Sequence, residues 1–146
     1  MADITPTAAL VLPVASGPNP TKRKEVVWGA TVAQGKTVYR DSADNKWRPA
    51  DNNVSPQVAG QQGYGIALTS GADGQIGEVA TGGDIDLGGA AMALGESYYQ
   101  SPNVGMIAPV ADVLSTHWVT HIGIAISATR LRMPASGANV SNVQHV

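Results

Sequence analysis

Three histidines, eleven carboxylates and no cysteine make up the reactive inventory of this chain. Without cysteine there is no disulfide framework, no thiolate metal site and no thiol nucleophile. His117 and His121 are four residues apart. On a helix they could share a metal ion, but on a strand that spacing covers about 13 Å, too far for one ion. His145 lies in a polar tail. Asp84-Ile85-Asp86 follows Gly82-Gly83 and offers two oxygen ligands, but it lacks the further Asp, Asn and Glu spacing of a calcium loop. On a strand the two carboxylates share one side, and a solvated face is expected for them. Gly71, Gly74 and Gly77 are spaced at threes but precede no Lys-Ser/Thr pair and open no helix, so they do not make a phosphate loop. No Gly-x-Ser-x-Gly elbow occurs. Asn53-Val54-Ser55 and Asn139-Val140-Ser141 match the glycosylation pattern, which means little without a secretory leader. The expectation is a chain with no catalytic residue, no metal site and no cofactor. Trp28, Trp47 and Trp118, with Tyr39, Tyr64, Tyr98 and Tyr99, are read as packing residues; a sugar-stacking platform is the sharper alternative.

These residues sit in a chain of 146, the size of one domain. Charged residues are only 14% of it, against roughly 25% in an ordinary domain. The net charge of −2 excludes a generic nucleic-acid binder, which needs a basic footprint. No apolar run reaches the length of about 18 residues that a membrane-spanning helix needs. The first residues carry no basic run, and the apolar stretch 7–14 is short and contains Pro13, so no secretory leader is expected. Charge is also segregated. Residues 1–48 hold seven basic and four acidic side chains, residues 49–129 hold seven acidic and no Lys or Arg, and residues 130–146 add Arg130 and Arg132. The two readings are a solvated acidic face, or complementarity between copies or with a partner.

The elements that must position these residues are strands. Proline at 6, 13, 18 and 20 makes residues 1–20 an extended N-terminal arm. Its apolar residues Ile4, Leu10, Val11 and Leu12 pack either on the domain or on a partner. With the basic run Lys22, Arg23 and Lys24 they are the candidate partner-binding residues. Removal of residues 2–20 is expected to leave a folded domain. Residues 134–146 read as a flexible tail, which leaves 21–133 as the folded unit. Within it, runs rich in Val, Ile, Thr, Tyr and Trp predict strands at 26–32, 37–40, 65–69, 76–80, 84–87, 97–100, 118–127 and 131–133. Turns are expected at 42–45, 71–74, 81–84 and 102–105. One helical turn is expected at 55–60, with Ser55 as cap and Pro56 at its first position.

The chain also repeats itself. Gly35-Lys36-Thr37-Val38-Tyr39 returns as Gly95-Glu96-Ser97-Tyr98-Tyr99, Pro49-Ala50-Asp51 as Pro109-Val110-Ala111-Asp112, and Gly65-Ile66-Ala67-Leu68-Thr69 as Gly123-Ile124-Ala125-Ile126-Ser127. Three matches in one order predict a duplicated β unit, about 29–69 and 89–127. Each unit holds a glycine suited to positive φ, a strand, a proline that stops pairing, and a second strand. The expected fold is all-β, a small β-barrel or β-tulip-like domain built from two similar halves.

The phrases 29–39 (GATVAQGKTVY), 47–51 (WRPAD), 65–75 (GIALTSGADGQ) and 123–129 (GIAISAT) resemble those of bacteriophage capsid decoration (cement) proteins and related head-fibre bases. The resemblance covers about 26–133. It implies a β-barrel or β-tulip-like domain on the outer capsid surface of the virion, made in the host cytoplasm. It further implies a homotrimer whose partner is the major capsid protein, with no catalytic residue, nucleic acid or membrane involved. A carbohydrate-binding or fibre-base β module of a phage particle is the alternative.

Overall fold

The computed structural model describes residues 4, 11–14, 18–55, 58–59, 63–88, 92–109, 117–133 and 143–144. Among them there is no helix, and hence none able to cross a membrane. The strands are β1 (Leu12–Pro13), β2 (Lys22–Val27), β3 (Thr37–Arg40), β4 (Trp47–Pro49), β5 (Tyr64–Ala67), β6 (Ile76–Asp86), β7 (Ser97–Gln100), β8 (Ile107–Pro109), β9 (Trp118–Val119), β10 (His121–Ala125), β11 (Arg130–Met133) and β12 (Val143–Gln144). One antiparallel sheet runs in the order β4-β3-β5-β6-β11-β10-β7-β8, with β1 and β2 added along β6. It curls strongly into a half-barrel, as expected of a small all-β barrel-like domain.

The two halves repeat most of their pairings, apart from a register shift between His121 and Gly123 that the first half lacks. Val38 faces Pro49 as Tyr98 faces Pro109, and Arg40 faces Trp47 as Gln100 faces Ile107. Thr37 faces Ile66 as Ser97 faces Ile124. The N–H of Gly35 donates to Ala67 O at 2.8 Å, and that of Gly95 to Ala125 O at 2.8 Å. Both glycines have the positive φ expected of them, 91° and 83°. The likeness extends beyond the matched sequence: Ile66 faces Ala80 and Ala67 faces Val79, as Ile124 faces Arg132 and Ala125 faces Leu131. The first part of β6 is therefore the counterpart of β11, although the two share almost no residues. A strand inside a ladder needs the right alternation, not a particular sequence.

One pair of glycines makes the curl possible. A Cβ on Gly65 would lie 2.6 Å from Ala80 O, and one on Gly123 would lie 2.5 Å from Arg132 O. The obstacle in each case is the backbone of the next strand, which cannot step aside as a flexible side chain could. β6 replaces the two predicted strands 76–80 and 84–87. The turn expected at 81–84 is a kink within one continuous strand, because Gly83, at φ 78°, bends the chain while its neighbours stay paired. Strands β4 and β8 lie outside the predicted set; each is three residues long and ends on the proline that stops the ladder. At 55–59, Ser55 Oγ accepts from the N–H of Val58 and Ser55 O from that of Ala59, the expected capped turn. Pro56 lies outside the described residues.

The arm belongs to the domain. Ile4 and Val11 are buried in the main core with Ile85, Leu87, Ile107 and Leu131. The N–H of Ile4 donates to Ile107 O at 2.9 Å, in the way that of Gly29 donates to Trp47 O at 2.8 Å in the first half. The start of the chain thus covers the outer edge of the second half. Leu12 faces Asp86 in the ladder, and Gln34 Nε2 holds Val11 O at 2.6 Å. Ile4 and Val11 are therefore core residues, buried by the domain itself, and not exposed partner contacts. Leu10 lies outside the described residues. In the tail, Val143 faces Val119 and Gln144 faces Trp118, so the chain returns to the domain at that point.

Two outcomes are expected. Gly65→Ala and Gly123→Ala should each cost about 2 kcal/mol or more in urea unfolding through overpacking against backbone. Gly74→Ala, with open space around it, should cost about 1 kcal/mol for its positive φ alone. Removing residues 2–14 should destabilise the domain, with Ile4→Ala alone costing about 2 kcal/mol or more. A truncated chain as stable as the full one would disprove the core role of the arm.

Candidate partner-binding face

The segregated charges meet inside the molecule. Arg132 donates through Nε and Nη2 to both oxygens of Asp84, at 2.8 and 3.1 Å. Arg130 lies 3.9 Å from Asp86, one step along the same β6–β11 ladder. Asp84 and Asp86 do share one side of β6, as the alternation predicts. However, the Asp84 side chain is 9% exposed and lies under its arginine instead of on a solvated face. Arg23 pairs with Glu78 at 3.5 Å, and Lys46 with Asp73 at 3.6 Å. Four carboxylates of the acidic middle, Asp73, Glu78, Asp84 and Asp86, are thus paired with basic residues from the two ends of the same chain. Complementarity is satisfied here at adjacent strands, with no second copy needed for these pairs.

The exposed charges left over include three on β2, two of them basic. Lys22, Arg23, Lys24 and Glu25 are all exposed, and among the described residues neither Lys22 nor Lys24 has a carboxylate partner. Lys24 Nζ lies 5.7 Å from the centre of the Trp47 ring, close enough for a cation–π contact that holds the ammonium group at the surface. β2 follows β6 through the register Arg23–Ala80 to Val27–Ile76. Val27 and Ile76 form an exposed apolar pair at its far end, 38% and 69% accessible. A groove of about 430 Å³ runs from Lys24 past Val26 and Ile76 to Arg40 and Asn45. At the other end of β2, a groove of about 660 Å³ lies between Pro20, Lys22, His121, Ile124, Arg132 and Met133. Of the predicted partner-binding residues, the structure leaves Lys22, Arg23 and Lys24 exposed along β2, with Arg23 and Lys24 on opposite faces of the strand. It withdraws Ile4 and Val11 from the surface. The two grooves and the Val27–Ile76 pair carry no signal in the sequence, because residues from distant strands line them.

The remaining candidates fall apart as chemistry. Among the described residues no three metal-ligating side chains converge. His121 begins β10 and packs edge-on against Tyr99, with ring centres 5.3 Å apart. Burial lowers its pKa, opposed by a hydrogen bond with the Gly123 backbone. Burial raises the carboxyl of Asp51, opposed by the N–H groups of Asn53 and Asn52 and by the charge of His117. Asp44 moves the other way. The Arg48 guanidinium donates to it at 2.8 Å and the Lys46 N–H at 3.0 Å, which holds its carboxyl at about 2. Asp44 precedes β4 and Asp51 follows it, so the strand's length separates them. Trp28 is fully buried and Trp47 nearly so. Neither offers a ring face to a sugar, and the stacking-platform reading loses both; Trp118 and Tyr99 are half-buried.

No known protein-family model matches this chain, and no curated protein matches it.

The Asp44–Arg48 pair gives a direct check of the β3–β4 turn. In the folded chain Asp44 should titrate at about 2 by carbon-detected NMR. In Arg48→Gln it should return toward the ordinary value near about 4. Because the folded value is depressed, the stabilisation from this pair is present above pH of about 4 and is lost as pH falls toward 2. An unchanged titration in the variant would disprove the pairing.

Proposed function

We propose that this chain is a structural protein of a bacteriophage head. It sits on the outer capsid surface as a homotrimer and fastens neighbouring major capsid subunits. The observation that carries this reading is the basic strand β2, which presents Lys22, Arg23 and Lys24 on the open edge of a domain whose other basic groups are largely taken by its own carboxylates. Such an edge suits a large, acidic, repetitive surface. Each contact is weak and salt-sensitive, and repetition over many copies supplies the holding strength. The duplicated half-barrel fits the same role. It binds its own arm into the core, so the body is rigid and the face is formed before a partner arrives, which lowers the ordering cost on binding.

The test uses expanded heads of the phage whose genome carries this gene. Wild-type protein should co-sediment with them and raise their temperature of disruption. The Lys22→Glu, Lys24→Glu double variant, with both substitutions on exposed side chains, should bind at least tenfold more weakly and keep its fold by circular dichroism. Absence of wild-type binding to expanded heads would overturn the reading, as would a monomer at all concentrations in light scattering.

A further inference from the structure

We propose that the groove walled by residues 18–22, β10 and β11 binds a small organic carboxylate, an apolar body carrying one anionic group. Such a site goes beyond the capsid reading and does not rest on it.

The duplication singles out one residue of this groove. Ile124 takes in the second half the place of Ile66 in the first. It faces Ser97 and Arg132 as Ile66 faces Thr37 and Ala80. Ile66 is 1% accessible and lies in the main core, whereas Ile124 is 43% accessible. The second half thus keeps an apolar side chain on a face that its own chain leaves open. A lone exposed isoleucine needs no explanation. This one, however, lines a groove of about 660 Å³ together with Pro18, Pro20 and Met133. That volume lies within the range of about 300–1,000 Å³ typical of small-molecule sites.

Backbone bonds form the groove in advance. Asn19, Pro20 and Thr21 cross the kink of β6 as a strap. Asn19 O accepts from the Asp84 N–H at 2.9 Å, and the Thr21 hydroxyl donates to Asp84 O. Val14 closes the base of the strap. Its N–H donates to Thr21 Oγ1 at 2.7 Å, and its O accepts from the Thr21 N–H at 2.9 Å. A Cβ on Gly83 would lie 2.1 Å from Pro20 O, so the strap rests directly on the glycine. Pro18 and Pro20 each fix one backbone angle. A wall of this kind loses little freedom when a ligand enters.

The polar side chains select the charge of the ligand. Among the described residues lining the groove are Lys22, His121 and Arg132, but no carboxylate. Asp84 holds Arg132 through Nε and Nη2, which fixes the planar guanidinium and leaves Nη1 as a donor of set direction. That pair is close to neutral, so the net positive charge of the groove comes from Lys22. Lys22 is exposed and has no carboxylate partner among the described residues. His121 packs edge-on against Tyr99, with ring centres 5.3 Å apart, and serves as a fixed wall. An ammonium ligand would meet Lys22 as a like charge, and a neutral one would leave it unused. A carboxylate gains a counter-ion in Lys22 and a charge-assisted hydrogen bond from Arg132. Its apolar body covers Ile124.

The experiment uses the full chain at neutral pH and low salt, with phenylbutyrate, phenylbutylamine and phenylbutanol as probes. They share a phenylalkyl body and differ in the end group. By titration calorimetry the acid should bind with a Kd of about 1 mM or tighter, and about tenfold or more tighter than the amine. It should move the amide signals of His121, Ile124 and Met133 in NMR spectra. Lys22→Gln, on an exposed side chain, should weaken the acid about fivefold or more and leave phenylbutanol within about twofold, at an unchanged melting temperature. Ile124→Ser should weaken all three probes. Equal binding of acid and amine, shifts confined to other residues, or no binding of the acid at millimolar concentration would overturn the proposal. So would a peptide with a free C-terminal phenylalanine that binds about tenfold or more tighter than phenylbutyrate, since the occupant would then be a partner chain. Binding to phage heads is read separately. Protein that binds the acid but not heads overturns only the capsid reading, and protein that binds heads but not the acid overturns only this one.

Discussion

Two strands of this sheet pass so close to their neighbours that no side chain fits between them. At Gly65 and at Gly123 the adjacent backbone occupies the space a Cβ would need. That approach lets a short sheet curl into a half-barrel with so few large side chains to fill it. Wider spacing would leave voids that the alanines and glycines of the chain could not close, and interiors tolerate voids poorly. The curl then sets the rest. It brings the 50–52 segment against the β7–β8 hairpin, where Asn52 Nδ2 donates to Gln100 O at 2.7 Å and Gln100 Nε2 to Ala50 O at 3.2 Å. It also leaves β6, the longest strand, as the spine along which both halves and the arm are arranged.

Charge follows the same spine. Among the described residues Arg23, Lys46, Arg48, Arg130 and Arg132 are paired with carboxylates, and the pairs of Arg23, Arg130 and Arg132 lie on β6. Most are surface pairs that contribute little to stability individually. Their larger effect is to consume the charges that would otherwise advertise a binding surface. Among the described residues, the exposed charges that escape include Lys22, Lys24 and Glu25 on β2, with Lys24 lying over the Trp47 ring. The candidate face is thus a remainder: it is where intramolecular neutralisation thins out.

Much of the fold is legible in the sequence because the chain states it twice. Local alternation and the glycines at 35 and 95 mark β3 and β7 with correct ends, and the shared phrases reveal the duplication. The equivalence of β6 with β11 is not legible, since it resides in hydrogen-bond register, which many sequences satisfy. The strand β6 itself is hidden by Gly82-Gly83, a pair that reads as a turn when only neighbours along the chain are considered. Short β4 and β8 are hidden for the opposite reason, having too few residues to show a period. For the candidate face, Lys22, Arg23 and Lys24 are visible as a basic run, but the exposed Val27–Ile76 pair beside them is not.

By itself, the sequence determined the class of protein: an all-β chain, duplicated, poor in reactive groups, with charges sorted into blocks. These properties depend on composition and on spacing within a few residues, so they survive without knowledge of what lies across the sheet. Tertiary structure alone decided where each of them acts. It turned Ile4 and Val11 from an available arm into core, because residues far along the chain, such as Ile85, Ile107 and Leu131, bury them. It converted a charge imbalance along the chain into pairs across β6. It also left the outward edge of β2 at Arg23 and Glu25 without a partner strand among the described residues. Whether a strand edge is open depends on which other segments reach it, and contacts between residues far apart in sequence have no local signature.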